Sequence, residues 1–252
     1  MDFVIDISGK CEKHGEYQAK RWAMPGGSVM VSPCPACREE RSQQDRALQD
    51  EARIFQFRLN MASAGIGSRY YESSFDNYRV SVDAERIALS SVQAYAEGFD
   101  RRTSRNLVMY GKTGTGKTHL ACAMTRLLLL RNVSVLYLPL LTLFSQYQDI
   151  TSYGGTGMRE EFFSRMRAPD LLIVDEFGIV TMRDSERIVL HRVIDERYNR
   201  NAPVVFIGNV DFEVFERDVG ERAFRRVLDD AETVVFDWER TPINRDLFVQ
   251  GV

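Results

Sequence analysis

Residues 111–118 constrain the fold of this chain more than any other stretch of its sequence. They read GKTGTGKT, which fits the phosphate-binding pattern of a glycine, four variable residues, and then Gly-Lys followed by Ser or Thr. An apolar segment precedes the motif and a helical one follows it, which is the context that makes the pattern specific. Glycines let the backbone curl until successive amide groups point at phosphate oxygens, and the helix adds the positive end of its dipole. The sequence therefore predicts an ATP site in an α/β domain.

The side chains and the backbone of this loop have separate expected roles. Lys117 is expected to bridge the β- and γ-phosphates of ATP, and the Thr118 hydroxyl is expected to hold Mg²⁺. The other predicted ATP contacts come from the curled loop itself, at Gly111, Thr113, Gly114, Thr115 and Gly116.

A second apolar segment ends in two acidic residues. Residues 171–176 read LLIVDE, so a buried strand would carry Asp175 to its carboxyl end, where it can hold Mg²⁺. Glu176 beside it can orient and deprotonate the attacking water. A strand-helix unit separates this segment from the phosphate loop along the chain. That spacing predicts an extra strand between the phosphate-loop strand and the acidic strand, as in AAA+ and helicase-like ATPases, and it argues against a small-molecule kinase.

Further polar residues are candidates for contacting the γ-phosphate. Asn209 follows the apolar run 204–207 and is expected to position water or sense the phosphate, with a turn asparagine as the alternative. Residues 220–227 carry three arginines on one short predicted helix. An arginine offered to a neighbouring subunit's nucleotide would stabilise transition-state charge, and a basic solvated face is the other interpretation. Two candidates for one more arginine near the phosphates are Arg240 and Arg245.

Helical and extended patterns alternate after residue 83, as a parallel sheet with crossover helices requires. The predicted fold class is α/β, an AAA+ P-loop core with a five-stranded parallel sheet and flanking helices. Strands are expected at residues 106–110, 134–138, 171–175, 204–207 and 233–236. Helices are expected at residues 83–99, 118–131, 141–148 and 186–198. Cys122 falls in the second of these helices and is expected to be a buried thiol.

Three of the four cysteines lie within the first 37 residues, beside a histidine. Cys11 and His14 form one pair, Cys34 and Cys37 form another, and each pair has two residues between its members. Two such pairs complete the tetrahedral shell of a structural zinc site. A hairpin around Pro25-Gly26-Gly27 fits between them, so a small zinc-ribbon-like head is predicted. The alternative is three reduced thiols and an incidental histidine.

Changes in residue composition along the chain suggest how it is divided into domains. We expect a zinc-binding head at 1–40, a helical connector at 41–70 and the AAA+ ATPase domain at 71–252. Residues 39–60 favour a long helix that runs from the end of the head into the connector. The chain has a formal net charge of −3, so any DNA contact must come from a local patch. We expect no membrane association and a cytoplasmic location, because long apolar runs and a leader-like beginning are both missing from the sequence.

Several stretches together resemble the DnaC family of replicative helicase loaders, AAA+ proteins related to bacterial replication initiators. They are residues 74–80, 111–118, 127–131, 134–136, 171–178 and 220–227. The resemblance implies that Lys117 and Thr118 bind ATP and Mg²⁺ and that Asp175 and Glu176 serve hydrolysis. It further implies that Asn209 is the first sensor and that Arg226 is the arginine finger.

Two functions remain open at this point. The resemblance and the zinc head favour an ATP-dependent loader of the replicative helicase onto single-stranded DNA. Its partners would be the hexameric helicase, single-stranded DNA and further copies of the AAA+ core. The alternative is an IstB-like accessory protein of DNA transposition, which would share the core and recruit a transposase.

Overall fold

The computed structural model describes residues 4–24, 26, 28–153, 156–178, 181–209, 212–229 and 231–239. The chain forms two compact units, Met1–Arg58 and Leu59–Val252. The division falls inside the predicted connector, and the boundaries 1–40, 41–70 and 71–252 stay predictions. Part of the predicted turn at residues 25–27 lies outside the described residues.

The first unit contains a small antiparallel sheet. Its strands β1 (Ile5–Cys11), β2 (Gly15–Ala23) and β3 (Val29–Val31) are ordered β1-β2-β3. The predicted hairpin of β2 and β3 is confirmed, whereas β1 was not predicted. Cys11 pairs with Gly15 across the β1-β2 turn, and Gly15 adopts a φ of 78°, which favours glycine.

A long helix, α1 (Pro35–Ser63), follows the sheet. This helix begins four residues before the start of the helix predicted at residues 39–60. Proline is favoured in the first helical turn because its missing N–H has no helical partner there. Cys37 therefore lies in the first turn of this helix.

The second unit has twelve further regular elements and a short 3₁₀ helix at Ser68–Tyr70 among the described residues. In chain order they are α2 (Asp83–Glu97), β4 (Leu107–Gly111), α3 (Lys117–Leu130), β5 (Val135–Pro139), α4 (Leu140–Tyr153), α5 (Thr156–Arg167), β6 (Leu171–Phe177), α6 (Asp184–Tyr198), β7 (Val204–Gly208), α7 (Phe212–Val219), α8 (Glu221–Leu228) and β8 (Glu232–Phe236).

Strands β4 to β8 form a five-stranded parallel sheet within the described part of the chain, in the order β5-β6-β7-β4-β8. This confirms the predicted fold class. Every residue of β7 is buried, as expected for a parallel strand covered by helices on both faces. Cys122 on α3 is also fully buried, as predicted.

The sheet order corrects one step of the sequence reasoning. A strand does separate the phosphate-loop strand β4 from the acidic strand β6, but that strand is β7, which follows both in the chain. Strand β5, which intervenes in sequence, lies at the edge of the sheet. Helices α5 and α7 were not predicted, because α5 has four apolar residues among its 12 and α7 is only 8 residues long.

Candidate functional site

The phosphate-binding loop connects the carboxyl end of β4 to the amino end of α3. Gly111 and Gly116 have φ values of 133° and 94°, which L-residues rarely adopt. A Cβ at Gly111 would lie 2.3 Å from the Phe236 carbonyl oxygen, and one at Gly116 would lie 2.5 Å from the Tyr78 ring. Both glycines are therefore required by conformation and by space.

Lys117 is held at the mouth of this loop. Its side chain is 6% exposed, and its Nζ donates hydrogen bonds to the carbonyl oxygens of Gly111 at 2.9 Å and Lys112 at 2.6 Å. Burial lowers the pKa of Lys117 to about 8. The ammonium group is therefore still charged at neutral pH, and a phosphate would be a stronger partner than a neutral carbonyl.

Asp175 on β6 lies beside Thr118 on α3. The Thr118 hydroxyl donates to Asp175 Oδ2 at 2.9 Å, and the Glu176 N–H donates to Oδ1 at 2.6 Å. Two adjacent oxygen ligands of this kind suit Mg²⁺, which prefers carboxylate and hydroxyl oxygens and retains several waters. The structure thus brings together the two residues from which the sequence predicted a magnesium site.

Tyr137 was missed by the sequence reasoning. Its hydroxyl donates to the same Asp175 Oδ2 at 2.5 Å, from the neighbouring strand β5. The available signal was a tyrosine within an otherwise apolar strand, because a buried tyrosine hydroxyl usually has a hydrogen-bonding partner.

Glu176 and Asn209 lie at the carboxyl ends of the neighbouring strands β6 and β7. The strand pairing is irregular between Val174 and Phe177, and Glu176 has a φ of 64°, so its side chain leaves the regular alternation of the strand. The Asn209 N–H donates to the Phe177 carbonyl at 3.3 Å. Both side chains are exposed, and they lie at the carboxyl-terminal end of the sheet, where the phosphate loop also begins.

The segment at residues 74–78 packs on the phosphate loop. The Tyr78 hydroxyl donates to the Thr115 carbonyl at 2.9 Å, and burial raises the pKa of Tyr78 to about 12. The His119 ring lies 3.0 Å from the Ser74 carbonyl through Nε2. This segment, which sequence reasoning used only for its family resemblance, thus supports the loop directly.

The residues after β8 also contact the loop. Lys112 forms ion pairs with Asp237 at 3.1 Å and Glu239 at 2.9 Å, and hydrogen bonds to these carboxylates raise its pKa. The two candidates for a further arginine, Arg240 and Arg245, lie outside the described residues.

Arg226 on α8 lies far from the phosphate loop of its own chain. Its carbonyl accepts a hydrogen bond from Asn106 Nδ2 at 3.4 Å, just before β4, whereas the loop follows the other end of that strand. A five-residue strand spans about 16 Å. The Arg226 guanidinium pairs with Asp195 and lies 5.3 Å from the Tyr198 ring centroid.

The first unit holds a candidate metal centre. The ligand atoms of Cys11, His14, Cys34 and Cys37 all lie within 4.8 Å of one another. The Sγ atoms of Cys11 and Cys37 are 3.5 Å apart, and His14 Nδ1 lies 3.7, 3.7 and 3.3 Å from the sulfurs of Cys11, Cys34 and Cys37. Tetrahedral zinc with ordinary bond lengths implies separations of about 3.8 Å between sulfurs and about 3.6 Å between sulfur and nitrogen. The donor set and its spacing therefore fit zinc.

Glu40 supports this cluster from α1 and was also missed by the sequence reasoning. The other ring nitrogen of His14, Nε2, lies 3.1 Å from Glu40 Oε1, and Lys13 pairs with the same carboxylate at 2.5 Å. A carboxylate on the second nitrogen orients a metal-binding histidine and fixes its tautomer. Hydrogen bonds from the backbone at His14 and Lys13 lower the pKa of the Cys11 thiol to about 6, whereas the hydrogen bond with Cys11 raises the pKa of the Cys37 thiol to about 11. Zinc binds cysteines as thiolates, so its binding to this cluster would release protons.

Among the described residues, no helix combines the length and the apolar character needed to cross a bilayer.

Comparison with known proteins agrees with this geometry. The family profile described as IstB-like ATP binding protein matches residues 40–234. The replicative helicase loader DnaC of Escherichia coli (strain K12) is 31% identical over 203 residues, which cover 80% of this chain and 82% of that protein.

Two solved structures share the fold. The crystal structure of the DnaC helicase loader superposes with a TM-score of 0.62 at 19% identity, covering 68% of this chain and 99% of that one. Replication initiator DnaA bound to AMPPCP and single-stranded DNA gives a TM-score of 0.58 at 19% identity, covering 69% of this chain and 51% of that one. The fold is thus the AAA+ P-loop fold of these proteins. The chain belongs to the IstB-like ATP binding protein family and is a homologue of the DnaC replicative helicase loader.

Proposed function

We propose that this protein is an ATP-dependent loader of a replicative DNA helicase onto single-stranded DNA. The observation that carries the proposal is the hydrogen bond from Thr118 to Asp175, which joins the phosphate loop to the acidic strand in a chain homologous to a named helicase loader. A loader needs such a site because its grip on the helicase must depend on the state of its nucleotide.

Binding begins with the loop. Its amide groups and Lys117 hold the phosphates of ATP, and Thr118 with Asp175 holds the magnesium ion. Bound Mg²⁺ supplies positive charge that neutralises the phosphoryl group during transfer. Of the residues around it, Glu176 acts as the base for the attacking water, and Asn209 orients that water and contacts the γ-phosphate.

Arg226 acts on the ATP of a neighbouring subunit. The support is its position beyond the opposite end of β4 from the phosphate loop of its own chain. An arginine delivered to the transition state from a second subunit couples hydrolysis to assembly. Self-association of the AAA+ core is therefore part of the proposed function.

The metal cluster at the start of the chain stabilises the head that contacts the helicase. Four donors and an orienting carboxylate suit a closed structural zinc site, since no open coordination position remains for substrate. The contact with the helicase rests on the homology to helicase loaders.

An accessory role in DNA transposition is the second candidate, favoured by the IstB-like family profile. The two proposals differ in the captured protein and in the DNA. A loader retains the replicative helicase and binds single strands, whereas the transposition protein retains a transposase and prefers duplex DNA.

Both are tested with the full-length protein in pull-downs against the replicative helicase of its own source. Wild type with ATP should retain the helicase. Lys117→Ala should lose tight ATP binding, because the remaining amides cannot compensate the phosphate charge. Glu176→Gln should bind ATP and helicase but hydrolyse at less than about 1% of the wild-type rate. Failure to retain helicase in any nucleotide state, together with preferential binding of duplex DNA, would favour the transposition role.

A further inference from the structure

Tyr137 lies on the edge strand β5, beside the acidic strand β6. The register pairs Pro139 with Asp175 and Tyr137 with Ile173. Residues two apart on a strand share a face, so Tyr137 is on the same side of the sheet as Pro139. The tyrosine is 7% exposed, and its hydroxyl donates to Asp175 Oδ2 at 2.5 Å.

The tyrosine completes a set of three donors around one carboxylate. Thr118 donates to Oδ2 at 2.9 Å and the Glu176 N–H donates to Oδ1 at 2.6 Å. The donors come from α3, β5 and β6, so the orientation of the carboxylate is fixed from three directions. Burial, with a further contribution from the nearby Asp175, raises the pKa of Tyr137, and the phenol therefore remains a donor at physiological pH.

The position of Tyr137 is itself fixed from outside the sheet. Its backbone N–H donates to the Ala64 carbonyl at 2.7 Å. Gly65, with a φ of 89°, lies so close that a Cβ there would be 2.1 Å from the Tyr137 carbonyl oxygen. The residues that follow α1 thus cover the edge of β5 and hold the tyrosine against Asp175.

We propose that Tyr137 is the positioning residue of the Asp175 carboxylate and thereby sets the affinity of the ATP site for Mg²⁺. The inference rests on the proposed ATP site. Magnesium demands near-ideal octahedral geometry at short distances, so a carboxylate that rotates freely binds it less well. Partners that orient a ligand from outside typically contribute tenfold to a hundredfold in metal affinity.

The test is Tyr137→Phe in the full chain, which removes one oxygen and retains the ring. A fluorescent ATP analogue is titrated at increasing Mg²⁺ and again in EDTA, and binding is read by anisotropy. We expect the half-saturating Mg²⁺ concentration to rise about tenfold, while affinity in EDTA stays at the wild-type value. Hydrolysis is not needed for this measurement.

Tyr95→Phe is the matched control. Tyr95 is 6% exposed and its hydroxyl donates to the Arg105 carbonyl at 2.7 Å, away from the ATP site. Tyr95→Phe should lose about as much thermal stability as Tyr137→Phe, but its ATP binding should depend on Mg²⁺ as that of the wild type does. An equal shift in both variants, or unchanged Mg²⁺ dependence in Tyr137→Phe, would overturn the inference.

A second variant covers the case in which Tyr137→Phe does not fold. Gly65→Ala retains the Tyr137 hydroxyl group but displaces the Tyr137 backbone and so moves the hydroxyl away from Asp175. It should therefore also weaken Mg²⁺ binding. Unchanged Mg²⁺ dependence there would count against the inference. Wild-type protein that binds no ATP would instead remove the proposed function, and the inference with it.

Discussion

The Tyr78 ring fills the space that a side chain at Gly116 would need. A Cβ on Gly116 would lie 2.5 Å from Tyr78 Cε2, and the tyrosine is anchored because its hydroxyl donates to the Thr115 carbonyl. The phosphate loop therefore has its curvature fixed by its own glycines and by a residue more than thirty positions earlier in the chain.

Gly116→Ala should lower ATP affinity by at least about tenfold, because the loop must move away from Tyr78 and the φ of 94° becomes strained. Isothermal titration calorimetry measures the effect. Gly67→Ala is the control, because a Cβ at Gly67 would meet no atom of the described residues within 4 Å. If both variants bind ATP as wild type does, the loop is less constrained than the packing indicates.

ATP affinity should depend on pH through Lys117. Its pKa is lowered to about 8 by burial, and only the charged form attracts phosphate. Affinity should therefore be nearly constant below pH 7 and fall as pH rises through about 8, by up to tenfold per unit. Dissociation constants measured from pH 6.5 to 9.5 check this. An affinity that stays flat to pH 9.5 would show that the lysine remains charged throughout.

Arg226→Ala should bind ATP normally and lose hydrolysis stimulated by assembly, by about a thousandfold if the arginine acts as a finger. Mixing it with Glu176→Gln protein should restore part of the activity, because one interface then contains both intact groups. Arg225→Ala is the control, since Arg225 is on the same helix and pairs with Glu221 at 2.6 Å. Loss of ATP binding in Arg226→Ala would place the role within its own subunit or in folding.

The head should contain one zinc ion per chain by elemental analysis. A unit of this size has too little apolar area to fold without its metal, so Cys34→Ser with Cys37→Ser should remove the zinc and unfold the head. ATP binding should persist, because the ATP site has no ligand from the cluster. The double mutant should also fail to retain helicase.

Cys122→Ser is the matched control for the zinc experiment, because Cys122 is buried in α3 and lies in the other unit. It should keep its zinc. Wild-type protein without zinc would refute the metal site. If the zinc-free mutant protein still captured helicase, the assignment of the metal site would stand, but the docking surface would have to be assigned to residues 47–59 instead of the head.

Local patterns in the sequence were enough to predict the phosphate loop, the acidic strand, the parallel sheet and the two residue pairs that lie together as a candidate zinc site. Each depends on residues close together in the chain, whose spacing determines how a turn, a strand end or a knuckle can form. The sequence also placed Cys122 in the core, because its neighbours are apolar at helical spacing.

Only the tertiary structure decided which strand lies between β4 and β6, since several orders satisfy the same alternation of helix and strand. It also brought Tyr137 to Asp175, Tyr78 to Gly116 and Glu40 to His14. These partners are separated by 26 to 38 residues and share no local pattern. Hydrogen bonds of a buried hydroxyl or a carboxylate are satisfied by whatever the folded chain places beside them, and that neighbour is set by packing, not by spacing along the chain.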